Sequence, residues 1–214
     1  MTNRAEEAAP IESERELQAH YPEPMEVVSR KVIDHNAHCR RFIELSPFCC
    51  LGTTDASGRG DVSPRGDEPG FVRILDERLL LLPDRPGNYR LDSMRNLLEN
   101  PAVGMMFLIP GIFDVLRVAG CAEVVADEEL LAPSAVKAKA PATGLLICVE
   151  EAFMHCGRAV KRGRLWEPEA QVDRNALPRL AEMLADHVAS TEPSIREELD
   201  YLAEETYMER DNLY

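Results

Sequence analysis

A run of cationic and hydrogen-bond-donating side chains occupies residues 83–101, PDRPGNYRLDSMRNLLENP. Four leucines (79–82) precede this run, and an apolar helical pattern follows it as far as Asn100-Pro101. The pattern predicts a buried strand that turns into a helix from Leu91 to Glu99. The first N–H groups of a helix lack partners within the helix and form the positive end of its dipole, so this junction suits an anion.

Arg85, Asn88, Arg90 and Ser93 place charged and neutral donors around the predicted helix start. Arginine makes charge-assisted and often bidentate hydrogen bonds to phosphate, so phosphate is the anion that this arrangement suits best. The alternative is a surface loop whose arginines pair with nearby acids. The density of arginines favours the phosphate site over that alternative.

Arg65 is a second candidate, in the segment DVSPRGDEPGF of residues 61–71. It stands at the end of a predicted strand, just before Gly66, from where an arginine can reach over the rim of a barrel. The alternative is a hairpin-loop arginine that is neutralised by Asp67 or Glu68.

The elements that must position these residues are mainly short strands joined by hairpin turns. Residues 25–45 predict one helix, with Val28, Val32, Phe42 and Leu45 as its buried stripe. Helices are also predicted at 177–188 and 193–208, and a short one near 157–166. Strands are predicted at 48–54, 58–64, 71–75, 79–83, 103–109, 113–127 with a kink at Gly120, and 145–156. This succession predicts a mainly β fold, an antiparallel barrel with peripheral helices.

The net charge of −14 is concentrated at the two ends of the chain. Residues 1–30 contribute −4 and residues 167–214 contribute −9, whereas residues 31–166 are almost neutral. Neither end offers a basic patch, which argues against nucleic acid or an anionic membrane as a partner. No apolar run approaches the ~20 residues of a membrane span, and the first residues lack an apolar signal-peptide core, so we expect a cytoplasmic protein.

The six cysteines form no C-x-x-C pair, so zinc-ribbon spacing is absent from the sequence. Cys49, Cys50, Cys121 and Cys148 lie in apolar, strand-like runs, where a free cysteine behaves as a small hydrophobe. We therefore predict reduced, buried thiols and no metal site.

The order of these motifs carries a resemblance to a known family. A helix is followed by LGTTDASGRGDVSPRGD, then LLLLPDRPGNYRLDSMRNLLENPAVGMMFLIPG, then LRVAGCAEVV. Over about residues 30–166 this order resembles the pyridoxamine 5′-phosphate oxidase-like flavoproteins, most closely their uncharacterised FMN-dependent branch. The resemblance implies a split β-barrel homodimer with two FMN molecules at the dimer interface. Residues 1–214 would form a single FMN-binding domain, with acidic helical extensions at 1–46 and 167–214.

The resemblance also implies the residues that contact the cofactor. Arg65 matches the strand-end arginine that meets the FMN phosphate, and Val62, Ser63 and Pro64 run beside the isoalloxazine ring. Leu82 and Pro83 match ring-edge contacts on the next strand. Asn88, Arg90 and Ser93, together with Arg85, fall in the phosphate-binding loop and helix start. Arg117 shares a strand face with a polar FMN contact of the family.

Residues 153–166, FMHCGRAVKRGRLW, hold His155, Cys156, Arg158, Lys161, Arg164 and the single tryptophan, Trp166. One interpretation places Lys161, Arg164 and Trp166 near the flavin of the partner subunit, lining a substrate or cofactor pocket. The other makes Trp166 a packing residue of the dimer interface. His155 and Cys156 are better explained as structural residues, because a metal site would need further ligands at a usable spacing.

The resemblance implies an FMN-dependent oxidoreductase that acts on a small molecule, with no catalytic side chain identified. Oxidation of vitamin B6 is disfavoured, because the segment PRGDEPGF and the ending DNLY depart from the pattern of the oxidases proper. One alternative is a non-catalytic flavin carrier or sensor. Another is an F420-dependent reductase, whose cofactor tail would need a basic groove near Arg158, Lys161, Arg162 and Arg164. FMN is favoured.

Overall fold

The computed structural model describes residues 10–29, 36–87 and 89–188 of the chain. The chain divides into two compact units, residues 1–31 and 32–214. In the first unit, helix α1 (Glu14–Gln18) is capped by Ser13, whose hydroxyl accepts a hydrogen bond from the N–H of Glu16, and α2 spans Glu26–Ser29.

The second unit is built around one antiparallel sheet. Its strands are β1 (Phe48–Thr54), β2 (Gly60–Gly66), β3 (Arg73–Ile74), β4 (Leu79–Pro83), β5 (Ala102–Leu108), β6 (Val115–Val125) and β7 (Gly144–His155). Its helices are α3 (Ala37–Leu45), α4 (Asp92–Glu99), α5 (Glu128–Leu131), α6 (Arg158–Arg162) and α7 (Leu180–Val188). The predicted strands and the hairpins that join 48–54 to 58–64 and 71–75 to 79–83 are thus confirmed.

The order of the seven strands is β2-β1-β5-β6-β7-β4-β3. Within the described part of the chain, β2 forms no ladder with β3 or β4, so the sheet stays open along one seam. A mainly β fold whose barrel is split rather than closed, with helices at its periphery, is the architecture predicted from the sequence. The edge strands are β2 and the two-residue β3, and the last residues of β4, Leu82 and Pro83, extend past β3 without a ladder partner on that side among the described residues.

The core lies on the inner face of the sheet. Along β1 and β5 buried and half-buried or exposed residues alternate, as expected for strands with one covered face, so Cys49, Leu51, Met105 and Phe107 point inward. Four consecutive residues of β4, Leu80 to Pro83, are buried instead, so this strand is covered on both faces. The buried residues Met94 and Leu97 of α4 complete one side of the core.

The single helix predicted over residues 25–45 is wrong, because α3 begins only at Ala37. Asn36 has extended backbone angles (φ −65°, ψ 176°), and its side-chain oxygen accepts hydrogen bonds from the N–H groups of His38 and Cys39. An asparagine that caps a helix in this way marks a start rather than a helix interior. Of the predicted stripe, Phe42 is buried and Leu45 is exposed. Val32 lies outside the described residues, and so does the predicted helix at 193–208.

The predicted kink at Gly120 is confirmed. The register of β6 against β7 shifts between Ala119 and Gly120, which is a β-bulge. A Cβ atom at position 120 would lie 2.0 Å from the carbonyl oxygen of Cys148, so only glycine fits this close approach.

Three of the four cysteines that were predicted as buried are not. Cys49 is fully buried, but Cys148 is exposed, and Cys50 and Cys121 are only half-buried. Cys121 and Cys148 belong to the outer face of the sheet, because they pair with each other on the face opposite to the buried Ala122 and Ile147. In the described ranges, no helix combines the length and the apolar composition that a bilayer span requires.

Candidate functional site

A cavity of about 550 Å³ opens at the seam between β2 and the chain that follows β4. This volume lies within the range of roughly 300–1,000 Å³ that is typical of small-molecule and cofactor sites. The lining comes from β2, from the loop after β4 and from the first turn of α4. Its residues are Asp61–Gly66, Phe71, Pro83–Gly87 and Tyr89–Met94.

The lining includes most of the residues predicted to bind a cofactor. The structure brings together Val62, Ser63, Pro64, Arg65, Pro83, Arg85, Arg90 and Ser93 around this cavity. The alternation along β2 leaves Asp61, Ser63 and Arg65 half-buried on one face and Val62 and Pro64 exposed on the other. Asn88 lies outside the described residues, so its predicted role stays a prediction.

Arg65 holds one fixed contact and leaves one donor unused. Its Nη1 donates to Oδ1 of Asp84 at 2.8 Å, and the two side chains are only 20% and 26% exposed. Its Nε is buried and has no hydrogen-bond partner among the described residues. A buried donor without a partner is costly, and Arg65 lines the cavity, so its guanidinium is a natural contact for a ligand that enters there. The acid that pairs with this arginine is Asp84, and not Asp67 or Glu68, which the alternative interpretation named.

Arg85 is held more completely by the protein itself. Its Nε donates to the carboxylate of Asp67, and its Nη1 donates to the backbone carbonyl of Ser134 at 2.7 Å. The side chain of Asp67 is 3% exposed and that of Arg85 is 17% exposed. For Arg85, therefore, the pairing with a nearby acid that was the alternative to a phosphate contact is the arrangement observed.

The start of α4 leaves room for an anion. Its N-cap residue, Leu91, has no polar side chain to accept a hydrogen bond from the first helical N–H groups. Leu91 and Tyr89 both adopt left-handed backbone angles, with φ of 59° and 54°. Such conformations are unfavourable for residues other than glycine and cluster at functional sites. Among the donors beside this helix start, Arg90 pairs with Asp92 at 2.8 Å in an exposed position.

The formal charges that line the cavity balance one another. Three acids, Asp61, Asp84 and Asp92, face three bases, Arg65, Arg85 and Arg90. The sequence prediction drew attention to the arginines and missed these acids. A visible signal was present for one of them: Asp84 directly precedes Arg85, so the end of β4 carries both signs of charge.

These groups fit the phosphate of a cofactor such as FMN. The unpartnered Nε of Arg65 and the uncapped N-terminus of α4 both offer donors at one cavity. The apolar and small side chains of Val62, Pro64 and Pro83 supply surface on which a flat ring system packs. No group of three or more histidine, cysteine or acidic residues suited to a metal ion occurs in the part of the chain that the structure describes.

Five predicted site residues do not line this cavity. Leu82 is buried in the core. Arg117 lies on the outer sheet face with its guanidinium 5.2 Å from the ring centre of Phe153. The other three, Lys161, Arg164 and Trp166, lie near the end of β7.

Two of those three residues contact the segment before β6, and the third pairs with a neighbour in sequence. The Nζ of Lys161 lies 5.9 Å from the ring centre of Phe113, Arg164 pairs with Glu167 at 2.6 Å, and Trp166 Nε1 donates to the carbonyl of Ile112 at 2.8 Å. Their predicted contact with a partner's flavin stays a prediction.

Comparison with known proteins adds a family match. The model of the family described as pyridoxamine 5′-phosphate oxidase matches residues 36–156. A comparison with curated protein sequences found no significant match.

Similar solved structures include HupZ of Group A Streptococcus, at 17% identity and a TM-score of 0.47, covering 56% of this chain and 92% of that one. Another is HutZ, the heme storage protein of Vibrio cholerae, at 17% identity and a TM-score of 0.37, covering 57% and 94%. A third is a Clostridium acetobutylicum protein of the pyridoxinephosphate oxidase family, at 15% identity and a TM-score of 0.40, covering 56% and 86%.

Proposed function

The chain belongs to the pyridoxamine 5′-phosphate oxidase family, and on that premise we propose that it is an FMN-binding flavoprotein acting as an oxidoreductase on a small molecule. One observation carries the proposal. The cavity at the seam holds a buried arginine donor without a partner, the Nε of Arg65, beside a helix N-terminus without a side-chain cap. A phosphate monoester matches both features, because it is an anion with several acceptor oxygens.

The residues of this chain hold and orient the cofactor in the proposal. Arg65, Arg90 and the first N–H groups of α4 hold the phosphate end. Val62, Ser63, Pro64 and Pro83 flank the ring and exclude water from one side of it. A bound flavin supplies the redox chemistry, whereas the protein supplies binding, orientation and electrostatics. No protein acid or base is then required, and we assign no catalytic side chain.

We further propose that two copies of the chain form a homodimer through the outer face of the sheet. The strand registers align Pro64, Cys50, Met106, Arg117 and Phe153 in one row across that face. Val62, near this row, is 71% exposed and Met106 is 38% exposed. A two-fold axis that packs this face of one copy against the same face of a second copy would remove Val62 and Met106 from water.

The experiment that tests the function begins with freshly purified protein. Its absorption spectrum and the mass of any released ligand identify the cofactor and separate FMN from F420. Flavin-free protein is then titrated with FMN by calorimetry, and we expect a dissociation constant of about 1 μM or lower. Turnover of the flavin with NAD(P)H separates an oxidoreductase from a carrier or sensor. Folded, flavin-free protein that takes up no FMN would refute the proposal.

A further inference from the structure

Two ion pairs cross the open seam of the sheet in opposite directions. Arg65, at the end of β2, pairs with Asp84, which follows β4. Asp67, two residues after Arg65, pairs with Arg85, the neighbour of Asp84. Each side of the seam thus contributes one base and one acid. We call these four residues the seam clasp.

The clasp stands where the backbone makes no connection. β2 is bonded to β1, and β4 is bonded to β7 and β3, so no ladder that the structure describes joins β2 to β4. The cavity opens between these two strands. The distance between its two walls therefore depends on side chains: the clasp spans the seam at the end of β2, and the hydrogen bond from Ser93 to Asp61 spans it near the start of that strand.

The two pairs of the clasp differ in how fully they are satisfied. The Asp67–Arg85 pair is the more buried, and Arg85 also binds the carbonyl of Ser134. The backbone N–H of Asp67 donates to the carbonyl of Pro47 at 3.0 Å, which fixes its loop to the start of β1. In contrast, Arg65 keeps a buried Nε without a partner in the described ranges.

We propose that the two pairs have different roles, an inference that rests on the proposed function. Asp67 and Arg85 are positioning residues: they fix the width of the seam and do not touch the phosphate. Arg65 is the ligand-binding member, and Asp84 orients its guanidinium so that Nε faces the cavity. This division differs from the sequence-based prediction that Arg85 meets the phosphate.

The two possible roles of Arg85 predict opposite effects of removing the charge of Asp67. If Arg85 binds the phosphate, an Asp67→Asn substitution removes a competing negative charge and leaves FMN binding unchanged or stronger. If Arg85 fixes the seam, the same substitution breaks a buried pair and weakens binding, because a buried guanidinium loses its partner. Riboflavin lacks the phosphate, so a change in seam width affects riboflavin as much as FMN.

The test uses the full chain, freed of flavin, in five forms: wild type, Asp67→Asn, Asp67→Arg, Arg85→Asp, and the double exchange of Asp67→Arg with Arg85→Asp. The dissociation constants of FMN and riboflavin and the visible circular dichroism of the bound flavin are measured for each form. We expect each single variant to weaken both ligands by a similar factor, about tenfold or more. The double exchange restores the ion pair but not the hydrogen bond to the carbonyl of Ser134, so it should recover part of the affinity and of the wild-type spectrum.

Two more variants, one conservative and one a control, keep the test informative if a charge-reversing variant does not fold. Arg85→Lys keeps the charge but loses the planar fork that reaches both Asp67 and Ser134, so we expect a smaller loss, again equal for the two ligands. Arg41→Ala breaks an exposed ion pair with Glu44, neither residue of which lines the cavity, and should change neither dissociation constant.

The possible outcomes are distinct. A loss confined to FMN in Arg85→Lys, or FMN binding that is unchanged or tighter in Asp67→Asn, would overturn the proposal. If the wild type binds neither ligand, the proposed function fails by itself. In that case, thermal unfolding of the flavin-free forms tests the clasp. If the double exchange recovers the unfolding temperature that the single variants lose, the clasp is supported. If it does not, the clasp is refuted.

Discussion

The hydroxyl of Ser93 donates a hydrogen bond to the carboxylate of Asp61 at 3.0 Å, joining the first turn of α4 to the edge strand β2. Ser93 is 2% exposed and lies at the wall of the cavity. Its hydroxyl is therefore already used within the protein. The backbone N–H groups of the helix start, rather than this hydroxyl, are the donors that remain for an anion.

A Ser93→Ala variant tests this assignment. Removing the hydroxyl deprives a carboxylate of one hydrogen bond, so the free energy of unfolding should fall by about 1–2 kcal/mol in urea titrations. The affinities for FMN and riboflavin should change by the same small factor. A loss confined to FMN would mean that the hydroxyl turns from Asp61 to the phosphate when the cofactor binds.

Arg65→Ala should weaken FMN by about 1.5–3 kcal/mol, because a charge-assisted and desolvated contact is lost. Arg90→Ala should weaken it less, because the side chain of Arg90 is 73% exposed and its contacts are screened by water. Riboflavin should hardly respond to either change, since it shares everything with FMN except the phosphate. Calorimetry with both ligands measures the difference.

One control and one further variant accompany the arginine variants. Arg59→Ala removes an exposed cation from the β1–β2 hairpin and should leave both affinities unchanged. Trp166→Ala should alter the flavin spectrum or the reductase rate, with little dependence on the phosphate, if this residue lies near the partner's ring. Equal losses of FMN and riboflavin in Arg65→Ala would assign Arg65 to the fold instead of the phosphate.

The parts of the fold that could be predicted from the sequence depend on local chemistry. The turn at Asp55–Gly58 is one example: Asp55 accepts hydrogen bonds from the N–H groups of Ser57 and Arg59, and Gly58 adopts a φ of 87°. The pairing of β4 with β7 is not local, because about 65 residues separate the two strands. No hairpin pattern could indicate it.

The candidate site, like the fold, combines features that local sequence determines with features that only the tertiary fold determines. The sequence predicted that arginines and a helix start would meet, since the strand, loop and helix are contiguous. It did not indicate which acid each arginine would pair with. Asp67 and Asp84 stand on opposite sides of a seam whose geometry arises only when the sheet curls, so the choice of partner is a property of the tertiary fold.

Light scattering tests the proposed dimer. At micromolar concentration the wild type should have twice the mass of its 23.9 kDa chain. A charge placed at Met106, on the row across the outer face, should shift the mass towards the monomer, because an unpaired charge in an apolar interface is costly. Leu98→Glu is a matched control, as Leu98 is 78% exposed on α4 and off the sheet face. A monomeric wild type would contradict the proposal.

Cys49 is the cross-strand neighbour of Arg65. Burial raises the pKa of the Cys49 thiol from 9.0 to about 12, with a further upward contribution from Cys50 and an opposing one from Arg65. The folded protein therefore keeps this proton in a range of pH where the unfolded chain has lost it. The stabilisation is complete below the unfolded pKa and is lost as the pH rises towards 12, by up to about 1.4 kcal/mol per pH unit.

Unfolding free energies between pH 8 and about pH 11 should show this slope in the wild type. A Cys49→Ala variant should be less stable at pH 8, because it leaves a small cavity in the core, but its stability should fall less steeply with pH. Alkylation gives an independent measurement: the exposed Cys156 should react in the folded protein, whereas Cys49 should react only as the protein unfolds. Equal pH slopes in the wild type and in Cys49→Ala, or labelling of Cys49 in the folded protein, would contradict this prediction. Either result would show that water reaches the Cys49 thiol, and that the core beside Arg65 is packed less tightly than the burial of Cys49 indicates.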